Sequence, residues 1–178
     1  MSQFAVKWIF ELHEDFTINV KSHFRAGLPA NFPGCAFEDG RGKRRLEIHP
    51  DGTLRVLASY AWDGCTPKFA LWDIVLGIPD GVPNQRTRQP KAYYASLVHD
   101  VLYQFLPNQL PVNRAAADAI FLELLTRDGF GPRWVYYAAV RVFGGMFRPM
   151  THWKRSYDGR SVPLAPAEPH RPGPSMES

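Results

Sequence analysis

His99 and Asp100 stand side by side in an apolar segment that also contains Tyr103. The segment has no internal glycine or proline and is bracketed by prolines, so we predict a helix over residues 91–106. Tyr103 follows His99 by four residues and Asp100 by three, so its hydroxyl can reach either neighbour. A buried carboxylate is costly unless it is paired or bound to a metal. Both His99 and Asp100 therefore need partners.

A histidine and two carboxylates at one site can do two kinds of chemistry. One carboxylate can hold the imidazole tautomer so that the ring takes a proton from water, and another can hold a divalent cation that polarises a carbonyl. A second predicted helix, residues 114–127, contains Asp118, and a short connection predicts that the two helices are antiparallel. Asp118 can then orient His99 while Asp100 binds the cation. We expect His99 Nδ1 to lie about 2.6–3.2 Å from Asp118.

Asp63 and Gly64 form an Asp-Gly step among aromatic residues in the segment YAWDGCTPKFALW. They can offer a carboxylate and backbone carbonyls to a cation, and oxygen ligands suit Ca²⁺ better than Zn²⁺. We therefore predict that Asp63 and Gly64 approach Asp100. A simple tight turn explains the same two residues equally well.

Other interpretations of the His-Asp pair remain open. The two side chains can merely satisfy each other and nearby backbone. An arginine paired with Asp100, such as Arg114 or Arg141, would make the site a buried ion pair. A metal hydrolase of another kind, acting on peptidoglycan or a phosphoester, would use a larger set of ligands: His99, Asp100, Asp63 and His152.

The elements that must position these residues predict an α+β fold. Residues 1–60 are β-rich, with a strong hairpin turn at Pro50-Asp51-Gly52, and residues 61–147 are mainly helical. We expect N-terminal antiparallel strands and a hairpin packed on a C-terminal three-helix unit that contains the antiparallel His-Asp helix pair. Residues 1–147 would form a single globular domain. Residues 148–178 contain six prolines and few core residues, which predicts a disordered tail.

Composition excludes several classes of function. The 178 residues include 21 basic and 17 acidic side chains, a formal charge of +4, without a basic run interleaved with aromatics. Nucleic acid is therefore not a predicted partner. We find no signal peptide and no run of about 18 apolar residues, so the chain is expected not to be transmembrane and to start in a cytoplasm.

Residues 95–121, with HDVLY followed by NRAAADAIF, resemble the catalytic helix pair of the phospholipase A2 superfamily, in its disulfide-poor viral and bacterial branches. The resemblance implies a calcium-assisted lipid-ester hydrolase. It assigns His99 as the base that activates water and Asp118 as the residue that orients it. It assigns Tyr103 as the supporting tyrosine and Asp100 as the calcium carboxylate. That superfamily's Gly-rich calcium loop is not found, and WDGCTP would replace it.

A longer part of the chain, roughly residues 4–147, resembles a family of phage and prophage proteins of unknown function. The shared features are a β-rich start, an Asp-Gly-x-Ser/Thr-x-Pro step and the His-Asp-x-x-Tyr helix. This resemblance implies phage virion or host proteins as partners, and a location in the cytoplasm of the bacterial host or in the virion. It brings no established activity. A non-catalytic structural or accessory phage protein with the same fold is therefore the alternative to a hydrolase.

An anionic lipid surface is the other expected partner. A third predicted helix, residues 132–146, is apolar nearly all round and contains the aromatics Trp134, Tyr136, Tyr137 and Phe143. Together with the basic loop of residues 86–91, these aromatics would form the approach to lipid head groups. The competing interpretation places the aromatics in the core.

Overall fold

A computed structural model describes residues 10–24, 28, 31–62, 64, 69–71, 74–76, 83–106, 110–143 and 160–164. It confirms the α+β class, with strands in the N-terminal half and three helices in the C-terminal half. The strands are β1 (Phe10–Glu11), β2 (Phe16–Asn19), β3 (Cys35–Glu38), β4 (Arg44–Ile48), β5 (Thr53–Val56), β6 (Ala61–Trp62), β7 (Phe69–Leu71), β8 (Ile74–Leu76) and β9 (Arg160–Pro163). The helices are α1 (Tyr93–Phe105), α2 (Arg114–Arg127) and α3 (Arg133–Phe143).

Five strands form one antiparallel sheet in the order β2-β5-β4-β3-β9. Its register places Phe16, Val56, Leu46 and Phe37 in one row across four strands. Because side chains alternate between the two faces of a strand, this row belongs to one apolar face. Val56, Leu46 and Phe37 are fully buried there, so this face forms one wall of the core.

The C-terminal strand is a feature that the sequence does not predict. Residues 160–163 fall in the segment for which composition predicts a disordered tail, and that prediction is wrong for these four residues. They pair with β3, and Arg160 donates from Nε to Glu38 Oε2 at 2.9 Å. The partner lies 122 residues away in the chain, so local composition carries no signal of the pairing.

The helix boundaries follow local chemistry. The Asn113 side chain accepts a hydrogen bond from the Ala116 N–H at 2.9 Å, which caps α2 as the sequence predicts. Gly129, just beyond α2, has a φ of +66°, a conformation that suits glycine after a helix end. Among the described residues, no helix combines the length and the apolar run needed to cross a bilayer.

Helix α1 joins the two halves of the molecule. Its Ser96 hydroxyl accepts a hydrogen bond from Trp62 Nε1 at 3.1 Å, and its Gln104 accepts one from the Tyr60 hydroxyl at 2.9 Å. These contacts satisfy polar atoms that burial would otherwise leave without partners. The largest fully buried side chains come from both halves, and they include Trp62, Phe37, Leu46, Ile48, Leu97, Leu102, Phe105, Ile120, Phe121 and Leu124.

The hairpin between β4 and β5 generates a stability prediction at Gly52. Its φ is +86°, and an added Cβ would lie 2.6 Å from Lys21 Cβ. Gly42 is a matched control because its φ is +74° while nothing lies within 4 Å of an added Cβ. We expect Gly42→Ala to lower the free energy of unfolding by about 1–2 kcal/mol through backbone strain alone. Gly52→Ala should cost at least about 1 kcal/mol more, through overpacking.

Urea unfolding of the two variants measures this difference. Equal losses would show that the backbone of the hairpin does not approach Lys21 closely in solution.

Candidate active site

Helices α1 and α2 bring together three of the predicted site residues. His99 Nε2 lies 3.1 Å from Asp118 Oδ1, and the Tyr103 hydroxyl donates to the same oxygen at 2.6 Å. The next turn pairs Tyr103 with Arg114, whose Nε donates to the tyrosine oxygen at 3.0 Å. Moving four residues forward in α1 thus moves the partner four residues back in α2, which is the pattern of an antiparallel pair.

Asp118 is the most enclosed charged group of the site, with a side chain that is 0 % exposed. Arg141 of α3 donates from Nη1 to Asp118 Oδ2 at 3.3 Å, and Arg114 Nε lies 4.0 Å from the same oxygen. Both carboxylate oxygens therefore have partners, as a buried charge requires. The side chains of Arg114 and Arg141 are themselves 37 % and 45 % exposed, so each arginine connects the buried carboxylate to the surface.

The surroundings keep Asp118 ionised. Burial by itself would raise the pKa of this carboxyl, but hydrogen bonds from His99 and Tyr103, together with the His99 and Arg141 contributions, lower the pKa below its usual value. Burial raises the pKa of Tyr103, and its hydrogen bond to Asp118 raises it further. Tyr103 thus stays a protonated donor. Because an ionised carboxylate can only accept, His99 must be the donor through Nε2.

The structure corrects the expected nitrogen of His99. The predicted distance between the imidazole and Asp118 is confirmed, but the nitrogen in contact is Nε2 and not the predicted Nδ1. The His99 ring packs against Tyr103 and Phe121, with centroid distances of 4.2 and 4.8 Å, and its side chain is 12 % exposed. This packing restricts the plane of the ring. Helix periodicity places the histidine on the right face but does not determine its rotamer.

The expected calcium ligands are only partly within the described residues. Asp100 is half-buried on α1, and Gly64 is buried with a φ of +81°. Asp63 lies outside the described residues, so its approach to Asp100 stays a prediction. The described residues contain no group of three or more His, Cys, Asp or Glu side chains that could hold a metal ion. Since Ca²⁺ takes six to eight oxygen ligands, the described residues alone do not form a calcium shell.

Two arginines of the site, Arg114 and Arg141, pair with a different carboxylate from the one considered from sequence. The sequence allows Arg114 or Arg141 to pair with Asp100, whereas the structure brings both to Asp118. A usable signal exists for Arg141, which is the one charged side chain inside α3 after its first residue. A charge in an otherwise apolar helix needs a partner, although the sequence does not say on which element.

The exposed side of α3 differs from the predicted lipid-facing set. Tyr136 is 4 % exposed and packs edge-on against Phe130, so this aromatic belongs to the core. Trp134, Val135 and Val142 are instead exposed by 61 to 65 %. The predicted aromatic surface is thus confirmed as exposed at Trp134 and wrong at Tyr136.

One part of the chain is similar to a known protein family. Residues 77–140 match a family described as "Protein of unknown function (DUF1353)". The matched segment contains all of α1 and α2 and most of α3, including His99, Tyr103 and Asp118. Searches of curated proteins and of solved structures found no match. Over its helical part, the chain is therefore similar to an uncharacterised family.

The lowered pKa of Asp118 predicts how stability depends on pH. Ionised Asp118 stabilises the folded state above the pKa that an aspartate has in the unfolded chain, about 4, and this contribution is lost as the pH falls below that value. We expect the unfolding free energy to fall between about pH 5 and pH 3, and to fall less steeply in Asp118→Asn. Asp15, Asp39 and Asp51, whose pKa values are also lowered, contribute to the residual slope.

Urea unfolding at a series of pH values measures both slopes. The same slope in the wild type and in Asp118→Asn would contradict a stabilising, ionised carboxylate at this position.

Proposed function

We propose that this protein is a hydrolase in which His99 activates a water for attack on an ester, in the manner of a phospholipase A2. The observation that supports this best is the hydrogen bond from His99 Nε2 to the fully buried Asp118. A carboxylate on Nε2 favours the neutral tautomer protonated at that nitrogen, which leaves the lone pair on Nδ1. Among the described residues, no hydrogen bond occupies Nδ1.

The proposed reaction uses Nδ1 as a general base. Nδ1 takes a proton from a water molecule while the water oxygen bonds to the ester carbonyl carbon. When the tetrahedral intermediate collapses, the bond to the alcohol oxygen breaks, and the proton on Nδ1 passes to that oxygen. Ester and water thus give acid and alcohol, and His99 returns to its neutral form. Asp118 holds the ring and stabilises the transient imidazolium without taking the proton itself.

The aromatic contacts of His99 support a base rather than a freely moving surface histidine. Tyr103 and Phe121 restrict the ring, while its 12 % exposed fraction leaves limited access from solvent. A base held in one orientation reaches its substrate without a further ordering step.

The second candidate is a non-catalytic structural or accessory phage protein. The observation that favours it is the ion pair between Arg141 and Asp118, because Arg141 and Arg114 already neutralise the carboxylate. A partly neutralised carboxylate stabilises an imidazolium less than an isolated one would. In this interpretation His99 is one more donor in a buried polar network that fixes the three helices.

Calcium enters the proposal only as an ion that the Asp100 carboxylate would bind. When bound, the ion would polarise the ester carbonyl and stabilise the developing oxyanion. Asp63 and Gly64 are its other proposed ligands. Since the described residues do not complete the shell, we assign no step of the reaction to the ion.

The proposed substrate surface is an anionic lipid membrane. Trp134 and Val135 are exposed at the start of α3. The basic loop before α1 contacts the turn that precedes α3: Arg86 Nη2 lies 3.6 Å from Asp128, and Lys91 Nζ donates to the Gly129 carbonyl at 3.0 Å. A surface that carries an exposed tryptophan and basic side chains suits a half-wet, negatively charged interface.

We further place the protein in a phage context, as the resemblance of its motifs suggests. The proposed locations are the cytoplasm of the infected bacterium and the virion, with virion or host proteins as partners.

An assay of fatty acid release from mixed anionic vesicles tests the proposal. With Ca²⁺ present, the wild type should release fatty acid, and a chelator should stop the release. His99→Gln should lose the activity with an unchanged circular dichroism spectrum, because glutamine cannot act as the base. Asp118→Asn should keep part of the rate, since Asp118 orients the base. Asp100→Asn should lose both the activity and any rise in melting temperature caused by Ca²⁺.

Arg127→Gln is the matched control for folding and charge. It is the last residue of α2, more than two turns beyond Asp118, and it binds Asp128, so its activity should equal that of the wild type. Release from the wild type no greater than from His99→Gln would overturn the enzyme and favour the accessory protein.

A further inference from the structure

Arg114 occupies a position that its own helix does not favour. It is the first residue of α2 after the Asn113 cap. A helix N-terminus carries partial positive charge, so a cation there is repelled, whereas a cation at a helix C-terminus is attracted. Arg114 lies 4.0 Å from Asp118 on its own helix, and its hydrogen-bond partners lie on neighbouring helices.

The guanidinium of Arg114 contacts both of the neighbouring helices. Its Nε donates to the Tyr103 hydroxyl at 3.0 Å, on α1. Its Nη2 donates to the backbone carbonyls of Val140 and Arg141, at 3.0 and 2.8 Å, in the last turn of α3. Those carbonyls are among the groups that a helix end leaves without intrahelical partners. The charge of Arg114 is thus unfavourable for α2 but favourable for the C-terminal end of α3.

Each helix that Arg114 contacts supplies a donor to Asp118. Tyr103 of α1 donates to Oδ1 at 2.6 Å, and Arg141 of α3 donates to Oδ2 at 3.3 Å. The backbone carbonyl that Arg114 binds belongs to Arg141 itself. Arg114 therefore contacts two of the three residues that donate to Asp118, and the third is His99.

We propose that Arg114 is a positioning residue for the His99–Asp118 pair. By fixing the Tyr103 hydroxyl and the last turn of α3 together, it holds Asp118 in the orientation that receives His99 Nε2. The effect on hydrolysis rests on the function proposed above. The effect on the His99 hydrogen bond does not depend on that function.

The proposed positioning role of Arg114 requires the planar geometry of its guanidinium donors. Arginine presents several N–H donors in a rigid arrangement, whereas lysine concentrates its donors on one nitrogen. Lysine keeps the charge at position 114 but cannot span the Tyr103 oxygen and two backbone carbonyls with the same geometry. Charge and geometry can therefore be separated by substitution.

The test compares Arg114→Lys and Arg114→Gln with Arg127→Gln. Arg114 and Arg127 lie on the same helix and have the same exposed side-chain fraction of 37 %, which makes the control closely matched. NMR measures the exchange of the His99 Nε2 proton with solvent, under conditions where all variants are folded. Both Arg114 variants should exchange about tenfold faster than the wild type, and Arg127→Gln should exchange at the wild-type rate.

A double-mutant cycle with Tyr103→Phe keeps the proposal testable if one variant is poorly stable. Without the tyrosine hydroxyl, Arg114→Gln should accelerate the exchange by a smaller factor than it does in the wild type. Arg114→Lys should also lower the hydrolytic turnover number more than it changes KM, because the substitution displaces the base and not the substrate.

Two results would overturn the inference. Wild-type exchange in both Arg114 variants, despite a lower melting temperature, would make Arg114 merely structural. Wild-type exchange in Arg114→Lys alone would show that charge is sufficient. Faster exchange in both variants, without hydrolysis by any form of the protein, would support the positioning role while refuting the proposed function.

Discussion

Complete burial of the Asp118 carboxylate is the constraint on which the helical half depends. An ion removed from water must recover its solvation from protein donors, and loss of one partner is strongly destabilising. His99 and Tyr103 of α1 both donate hydrogen bonds to Asp118. Arg114 of α2 and Arg141 of α3 form ion pairs with it. The carboxylate consequently specifies how all three helices meet. The same hydrogen bonds lower the pKa of Asp118, so the carboxylate stays charged and continues to need these partners.

The β-rich half acts on this site through α1. Phe37 of β3 packs against Phe105 at a centroid distance of 5.5 Å, and Phe16 of β2 stacks on Tyr94 at 4.5 Å. Trp62 donates to Ser96, one turn before His99. The contacts of Tyr94 and Phe105 hold one face of α1 against the sheet, and His99 and Tyr103 lie on the other side of the helix, toward α2. The apolar packing fixes the helix, and the polar network then fixes the side chains.

Local signals account for the parts of the fold and site that the sequence predicts well. Asn113 and Gly129 bracket α2, Gly52 marks the hairpin, and the spacing of His99, Tyr103 and Asp118 brings them together once the two helices are antiparallel.

The remaining features depend on contacts that are remote in the chain or on side-chain rotamers. Strand β9 pairs with a strand more than a hundred residues earlier, Arg141 of α3 binds Asp118 of α2, and the rotamer of His99 decides which of its nitrogens is used. None of these three features has a periodic pattern.

The role of His99 as a base depends most directly on its tautomer. Long-range proton–nitrogen NMR correlations of the imidazole, assigned by comparison with His99→Gln, measure that tautomer. We expect the neutral form of the ring to carry its proton on Nε2 and to leave Nδ1 bare. A neutral form with the proton on Nδ1 would contradict both the hydrogen bond to Asp118 and the proposed base.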